Sequence, residues 1–264
     1  TDRAVASPMT APSRTPVVDV DRYLDRIGFS MVPEPNLDTL AALQRAHLTA
    51  VPFENLDVYH GVPDRTDTDW SLAKIVDRNR GGWCFENNGA FAALLEALGF
   101  EVVRLGAAVL LGGPNQLIDH LTIEVMLDKA YLVDVGFGDS FIFPLELNRR
   151  GPQDGGTGTF ELIDSSQGLT LTEHHDGVPA PLFRFRRVHH AMADFEPASQ
   201  RLQSDPELHW SQKPFATRLL GGGPDRVTLL GDRLKLRRDG VETVTPVAPD
   251  AWDATLREWF DIAR

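Results

Sequence analysis

The chain holds one cysteine, Cys84, within the stretch Arg80-Gly81-Gly82-Trp83-Cys84-Phe85-Glu86-Asn87-Asn88. Two glycines give the backbone conformations closed to other residues and let another group approach closely. After Cys84 the spacing turns helical: Phe91, Leu94, Leu95 and Leu98 fall on one face and Gly99 supplies the stop. Cys84 is therefore expected at the start of a helix, where unpaired amides and the positive end of the helix dipole favour a thiolate. Most free cysteines are inert buried hydrophobes. A Gly-Gly turn opening onto a helix start is the environment in which a cysteine becomes nucleophilic, so the inert and the nucleophilic readings of Cys84 both stand.

A nucleophilic cysteine needs a base, and the base an orienting partner. Of eight histidines, His120 stands apart because it opens the strand-like run 121–127. A short turn near Asp128-Lys129 leads into the run 131–135, where Asp134 is a carboxylate inside an apolar strand, costly there without a partner. Hairpin register decides whether the two meet. A two-residue turn, Asp128-Lys129, sets Asp134 opposite Ile123, on the face away from His120. A three-residue turn through Ala130 sets it opposite Glu124, sharing a face with His120 but offset by about four residues, roughly 13 Å. Contact then requires strong twist, a bulge, or His120 folding back from before the strand. The sequence permits a Cys–His–Asp triad and does not compel one.

These residues must be positioned by the elements around them. Val20, Tyr23, Leu24 and Ile27 have helical spacing and end at Gly28. A second helix is expected from Asn36 or Asp38 to before Pro52, and a third with Ser71 as N-cap and Arg78 and Arg80 near its negative end. Short β-branched or aromatic runs then follow at 101–111, 120–127, 131–135, 141–145, 159–163, 169–172 and 182–188. Strands in succession without helices between them point to an antiparallel sheet or barrel. The last part has strand-like runs at 227–230, 234–236 and 241–247, with Asp239-Gly240 as a hairpin turn. It closes on an amphipathic helix capped by Asp250, with Trp252 and Trp259 on its buried face. Residues 1–17, rich in Ala, Pro, Ser and Thr, read as a loose arm.

Composition narrows the function classes. Of 264 residues, 42% are hydrophobic and 24% charged, an ordinary globular balance. A formal charge of −12 without a dense Lys/Arg run argues against nucleic acid or an anionic membrane as partner. One cysteine leaves no internal disulfide framework and no multi-cysteine zinc site. With no apolar secretory core at the start and no run long enough to cross a bilayer, a cytoplasmic location is expected.

The chain resembles the arylamine N-acetyltransferases over residues 19–264. The likeness is carried jointly by Asp21-Arg22-Tyr23-Leu24-Asp25-Arg26-Ile27-Gly28, Val51-Pro52-Phe53-Glu54-Asn55-Leu56, the 80–88 stretch, His120-Leu121-Thr122 and Asp134-Val135-Gly136-Phe137-Gly138. The resemblance implies an α+β, cysteine-protease-like architecture of three parts. These are a helical bundle (1–99) carrying the nucleophile, an antiparallel β-barrel (100–205) carrying His and Asp, and an α/β lid (206–264). It implies Cys84 as nucleophile, His120 as base and Asp134 as orienter, with a buried Glu54–Arg80 ion pair supporting the loop before Cys84. By the same likeness, Phe53 and Phe137 line the substrate pocket, while Gly138, Phe215 and Thr217 touch coenzyme A.

The implied reaction is ping-pong. Acetyl-CoA acetylates Cys84, CoA leaves, and an arylamine, hydrazine or arylhydroxylamine takes the acetyl group; no metal is required. Arg186, Arg187, Lys213 and Arg218 are local candidates for the CoA phosphates. The rival readings are an amide synthase of the same family closing a macrocycle from a carrier-bound acyl chain, a papain-like hydrolase, whose C-G-[SA]-C-[WY] context is missing here, and a binding module with an inert Cys84.

Overall fold

The structure is a computed structural model that describes residues 17–31 and 33–263. The arm read at 1–17 lies outside these residues except for Val17. Helix α1, Val20–Arg26, is capped by Asp19, and Gly28 follows with φ +67°, the left-handed conformation that ends a helix at little steric cost. Helix α2, Leu37–Ala50, starts behind Asn36, whose side chain accepts the Thr39 amide. A short strand β1, Phe53–Glu54, and one helical turn α3, Leu56–Tyr59, lead into α4, Thr68–Leu72.

The cap of α4 is Asp67 and not Ser71. The Asp67 carboxylate accepts the Trp70 amide, while the Ser71 hydroxyl bonds back to the Asp67 carbonyl from inside the helix. A π-helical turn at Ala73–Asp77 follows, carrying Lys74 into the interior. Helix α5, Cys84–Ala97, is buried on nearly every face, and Gly99 (φ +88°) follows its end. Its Phe91, Leu94 and Leu95 share one core with Ile123, Val125 and Val133 of the strands beyond, so the cysteine helix and the His/Asp strands form a single packed body.

Those strands are β2 Glu101–Val109, β3 His120–Met126, β4 Ala130–Val133, β5 Leu145–Glu146, β6 Gln153–Asp154, β7 Thr159–Ser165, β8 Gly168–His175 and β9 Val178–His189. They form an antiparallel sheet in the order β5-β4-β3-β2-β9-β8-β7-β6. The two ends of the order meet through one side chain. Gln153 of β6 donates to the Glu146 carbonyl of β5 at 3.0 Å and accepts the Glu146 amide at 2.8 Å, so the sheet is a nearly closed barrel. The run 141–145 is not a strand except at Leu145. Its apolar character reflects burial, and the amides of Ile142 and Phe143 both turn to the Gly155 carbonyl.

After α6 (Glu196–Ser204) and the turn α7 (His209–Gln212), a second antiparallel sheet has β10 Phe215–Leu219, β11 Arg226–Leu230, β12 Arg233–Arg238 and β13 Val241–Pro246. Asp239 and Gly240 form the β12–β13 turn with positive φ at both positions, as expected of that pair. The fifth strand of this sheet is β1: Phe53 pairs with Thr217 and Glu54 with Ala216. Phe53 also bridges to Gly82. The loop before Cys84 is thereby tied through two residues to the C-terminal sheet. The closing helix α8, Trp252–Phe260, follows a 3-10 turn at Pro249–Ala251, and Asp250 does not cap it. Leu256 and Phe260 are its buried residues; Trp252 and Trp259 flank them, and the Trp252 indole donates to the Gly231 carbonyl.

Candidate active site

Cys84 is the first residue of α5, one turn before Asn88 on the same face. The β3–β4 hairpin has a register that neither turn considered from sequence produces. Met126 pairs with Ala130, so the turn is Leu127-Asp128-Lys129 and Ile123 pairs with Val133. Continued by one residue, this places Asp134 beside Thr122, on the same face as His120 and only two residues from it. Diagonal neighbours at that offset are within reach of each other's side chains. The His120 Nε2 to Asp134 Oδ2 distance is 2.6 Å.

The other carboxylate oxygen is held equally firmly. Asp134 Oδ1 accepts Asn88 Nδ2–H at 2.8 Å and the Gly136 amide at 2.9 Å. Asn88 Nδ2 also donates to the Leu121 carbonyl at 2.6 Å, and its Oδ1 accepts the Val135 amide at 2.8 Å. One side chain of the cysteine helix thus joins both strands that carry the His and the Asp. Gly136 makes the approach possible, because a Cβ there would stand 2.7 Å from Cys84 Cα and 2.8 Å from Asn88 Nδ2. The sequence reading gives Gly136 the task of letting a ligand lie against the backbone near Cys84, whereas the group that approaches it is the cysteine helix itself; Asn88 has no site role in that reading. Asn88 was legible only as the residue one helical turn beyond the cysteine.

Cys84, His120 and Asp134 are 3%, 2% and 3% exposed. With Nε2 taken by Asp134, Nδ1 is the ring nitrogen left for Cys84. Burial alone would push the His120 imidazole down. The Asp134 carboxylate, by charge and hydrogen bond, and then Cys84 outweigh it and hold the imidazole at about 10. That balance favours the charged imidazolium form of His120 over the neutral one. The Cys84 thiol also lies 3.8 Å from the Asp119 carbonyl, a weak contact.

A buried charge network lies beneath the loop before Cys84. Arg80 donates to Glu54 Oε1 through Nε (2.9 Å) and Nη2 (2.7 Å), the ion pair implied by the resemblance, and reaches Asp57 at 3.1 Å. Lys74 Nζ lies 2.8 Å from Glu86 Oε1 and 2.8 Å from Asp57 Oδ2. Glu86 Oε2 accepts the Trp83 amide, capping the helix that begins at Cys84. Burial pushes the Glu86 and Asp64 carboxyls up, against the pull of Lys74. Gly81 and Gly82 are required here, since a Cβ would collide with the Pro52 carbonyl and with the Glu86 carboxylate, respectively.

Cys84 and His120 open onto a cavity of about 730 Å³ walled by Phe53, Phe137, Trp210 and Phe215. A second cavity, about 310 Å³, shares Phe53, Phe137 and Phe215 with it and is otherwise lined by residues that include Gly138 and Thr217. All five binding residues named from the resemblance therefore gather at one junction. Gly138, at φ +99°, has the Phe53 ring 3.3 Å from where its Cβ would be. The arginines and lysine offered for the CoA phosphates do not gather there. Arg187 pairs with Glu124, Arg218 with Asp261, and Arg186 donates to the Gln167 carbonyl. Those three and Lys213 line neither cavity.

Residues 36–263 match the N-acetyltransferase family model. An arylamine N-acetyltransferase of Mycolicibacterium smegmatis is 36% identical over 73% of this chain and 74% of its own length. The chicken pineal gland isozyme NAT-3 is 31% identical over 93% of this chain and 94% of its own. Among solved structures, the Mycobacterium marinum arylamine N-acetyltransferase in complex with CoA superposes with a TM-score of 0.85, at 31% identity over 92% of this chain and 93% of the other. A matching family model over most of the chain, relatives of nearly equal length and the same three-part fold lead to one statement: the chain belongs to the arylamine N-acetyltransferase family of acyltransferases.

Proposed function

We propose that this enzyme moves an acetyl group from acetyl-CoA to arylamines, hydrazines or arylhydroxylamines through an acetyl-Cys84 intermediate. The observation that carries the reading is the Asp134–His120 pair facing Cys84 at a helix start, at the floor of an aromatic cavity. The Cys84 sulfur attacks the thioester carbonyl, its proton having passed to His120. An S–C bond forms at Cys84, the S–C bond to CoA breaks, and the departing CoA thiolate takes the proton from His120. An amine then attacks the acetyl carbonyl. His120 removes the amine proton as the C–N bond forms, and Cys84 leaves as the thiolate, restoring the ion pair. Exchange of one thioester for another is nearly balanced, so the acetyl group is stored without losing reactivity.

Asp134 orients the imidazole and offsets its charge. The developing oxyanion falls to first-turn amides of α5, which have no partner within the helix. Phe137, whose ring centroid is 5.2 Å from that of His120, together with Phe53 and Phe215, forms the apolar wall that suits an aryl acceptor. The pantetheine arm of the donor runs past Gly138 toward Thr217, into the second cavity. Of these two cavities, the larger is the one whose described lining includes Cys84. Use of this one cavity by donor and acceptor in turn supports a ping-pong order. Initial rates with acetyl-CoA and an arylamine both varied are expected to give parallel double-reciprocal lines; intersecting lines would mean that both substrates bind before acetyl transfer.

A further inference from the structure

The second cavity contains a buried cation whose hydrogen bonds are not all made. Arg226, on β11, is 4% exposed and lines the cavity. Its Nη1 donates to the Thr217 hydroxyl at 3.2 Å, while Nη2 has no partner among the described residues. Its Nε lies 3.1 Å from Asp139 Oδ1 without the alignment of a hydrogen bond. Leaving guanidinium donors unmade in a buried site is costly, and it marks a place where an acceptor-rich group belongs. Arg237, on β12, faces the same space and grips Asp139 with two parallel bonds of 2.8 Å. Asp139 follows Gly138 directly, so its carboxylate comes from the barrel side while both arginines come from the C-terminal sheet. Lys235 and Glu242 are the remaining charged residues lining the cavity, and they pair with each other at 3.1 Å.

A carboxylate between two arginines, one of them under-bonded, has the charge and fork geometry of a bound phosphate. We propose that Arg226 and Arg237 form the recognition site for a phosphate of the acyl donor, and that Asp139 is an internal counter-anion which that phosphate displaces. The inference rests on the acyl-donor reading for the identity of its ligand. It adds the residues that make the site selective for phosphorylated donors over a bare pantetheine thioester. A dianionic phosphate offers more acceptors than one carboxylate and satisfies the free Nη2 as well, so the exchange is favourable once the arm of the donor has brought it near.

The test is calorimetric titration of the full chain with CoA and with pantetheine, which has the same arm and thiol but no phosphate. Arg237→Gln, at a third-exposed position, is expected to weaken CoA about tenfold or more and to leave pantetheine unchanged. Arg226→Lys keeps the buried charge but loses the fork, and is expected to act in the same direction. Asp139→Asn removes the competing charge and is expected to tighten CoA severalfold. The proposal is overturned if both arginine variants bind CoA as the parent does, if they weaken both ligands equally, or if Asp139→Asn leaves CoA no tighter. The two readings separate cleanly. CoA binding that depends on these arginines without acetylation of Cys84 would sink the catalytic account alone, whereas acetylation of Cys84 with arginine-independent CoA binding would sink this one alone.

Discussion

Asn88 Nδ2 lies 2.8 Å from Asp134 Oδ1, so the helix that begins with Cys84 also fixes the carboxylate that fixes His120. The three catalytic candidates are not independent side chains that happen to converge. They are connected through one amide that reaches both strands of the β3–β4 hairpin.

Removing that amide is expected to cost more than a structural hydrogen bond. Asn88→Ala leaves the buried Leu121 carbonyl and Val135 amide without their partner and frees Asp134 to turn. Stability should fall by about 2–4 kcal/mol, since each stranded buried polar group costs about 1–3. Acetyl transfer should fall further than stability at a temperature where the variant is folded. Chemical denaturation beside single-turnover acetylation checks both, and a variant destabilised but fully active would show that Asn88 does not position the site.

Asp134→Asn is expected to lower acetyl transfer by about two to four orders of magnitude while leaving the fold in place. The sign of the accompanying titration is fixed by the causes acting on His120. With the carboxylate present, the folded imidazole sits at about 10. The stability this proton contributes is complete below about 6.5, the unfolded value, and is lost as the pH rises toward 10. Without it, burial dominates and the imidazole should fall below its ordinary value. Imidazole NMR shifts followed from pH 5 to 10.5 read this directly, and an unchanged His120 titration in the variant would contradict it.

Gly136→Ala tests the close approach of hairpin to helix. The added methyl carbon meets Cys84 Cα and Asn88 Nδ2, neither the free end of a flexible side chain. The expected cost is about 1–3 kcal/mol of stability, with a shift of the Cys84 backbone and a large fall in acetylation rate. A crystal structure of the variant with Cys84 unmoved and activity intact would show that this contact is not needed.

The buried cation beneath the loop makes a different demand. Lys74→Met strands Glu86 without its cation and leaves Asp57 with Arg80 alone, and breaking a buried pair from one side costs about 3–5 kcal/mol. Thermal unfolding should move down accordingly. A Lys74→Met, Glu86→Gln double variant should recover part of the loss, and if it does not, the two groups are not coupled as the distances imply.

Local chemistry made much of this site legible. The Gly-Gly turn and the apolar period after it located the start of α5, and the succession of β-branched runs without helices gave the antiparallel sheet. What stayed hidden depended on long-range packing. The turn of the β3–β4 hairpin begins one residue earlier than either register considered, because Leu127 turns its amide to the Lys129 carbonyl and leaves the ladder at Met126. That single step changes a separation of four residues into one of two and brings His120 to Asp134. Phe53 gave no strand signal, since a two-residue strand exists only through partners at Gly82 and Thr217, both far further along the chain. The run 141–145 misled because burial in an irregular segment selects the same apolar residues as burial in a strand. The arginines offered for the donor phosphates were chosen by proximity in sequence, whereas the ones lining the second cavity arrive from β11 and β12.

The central claim is that Cys84 carries the acetyl group. Intact mass spectrometry after brief mixing with acetyl-CoA and no amine, followed by peptide mapping, tests it most directly. The expected result is a single acetyl group on the Cys84 peptide, discharged when an arylamine is added and missing in Cys84→Ala. A protein that stays unmodified, with a Cys84 that also resists alkylation, would contradict the account.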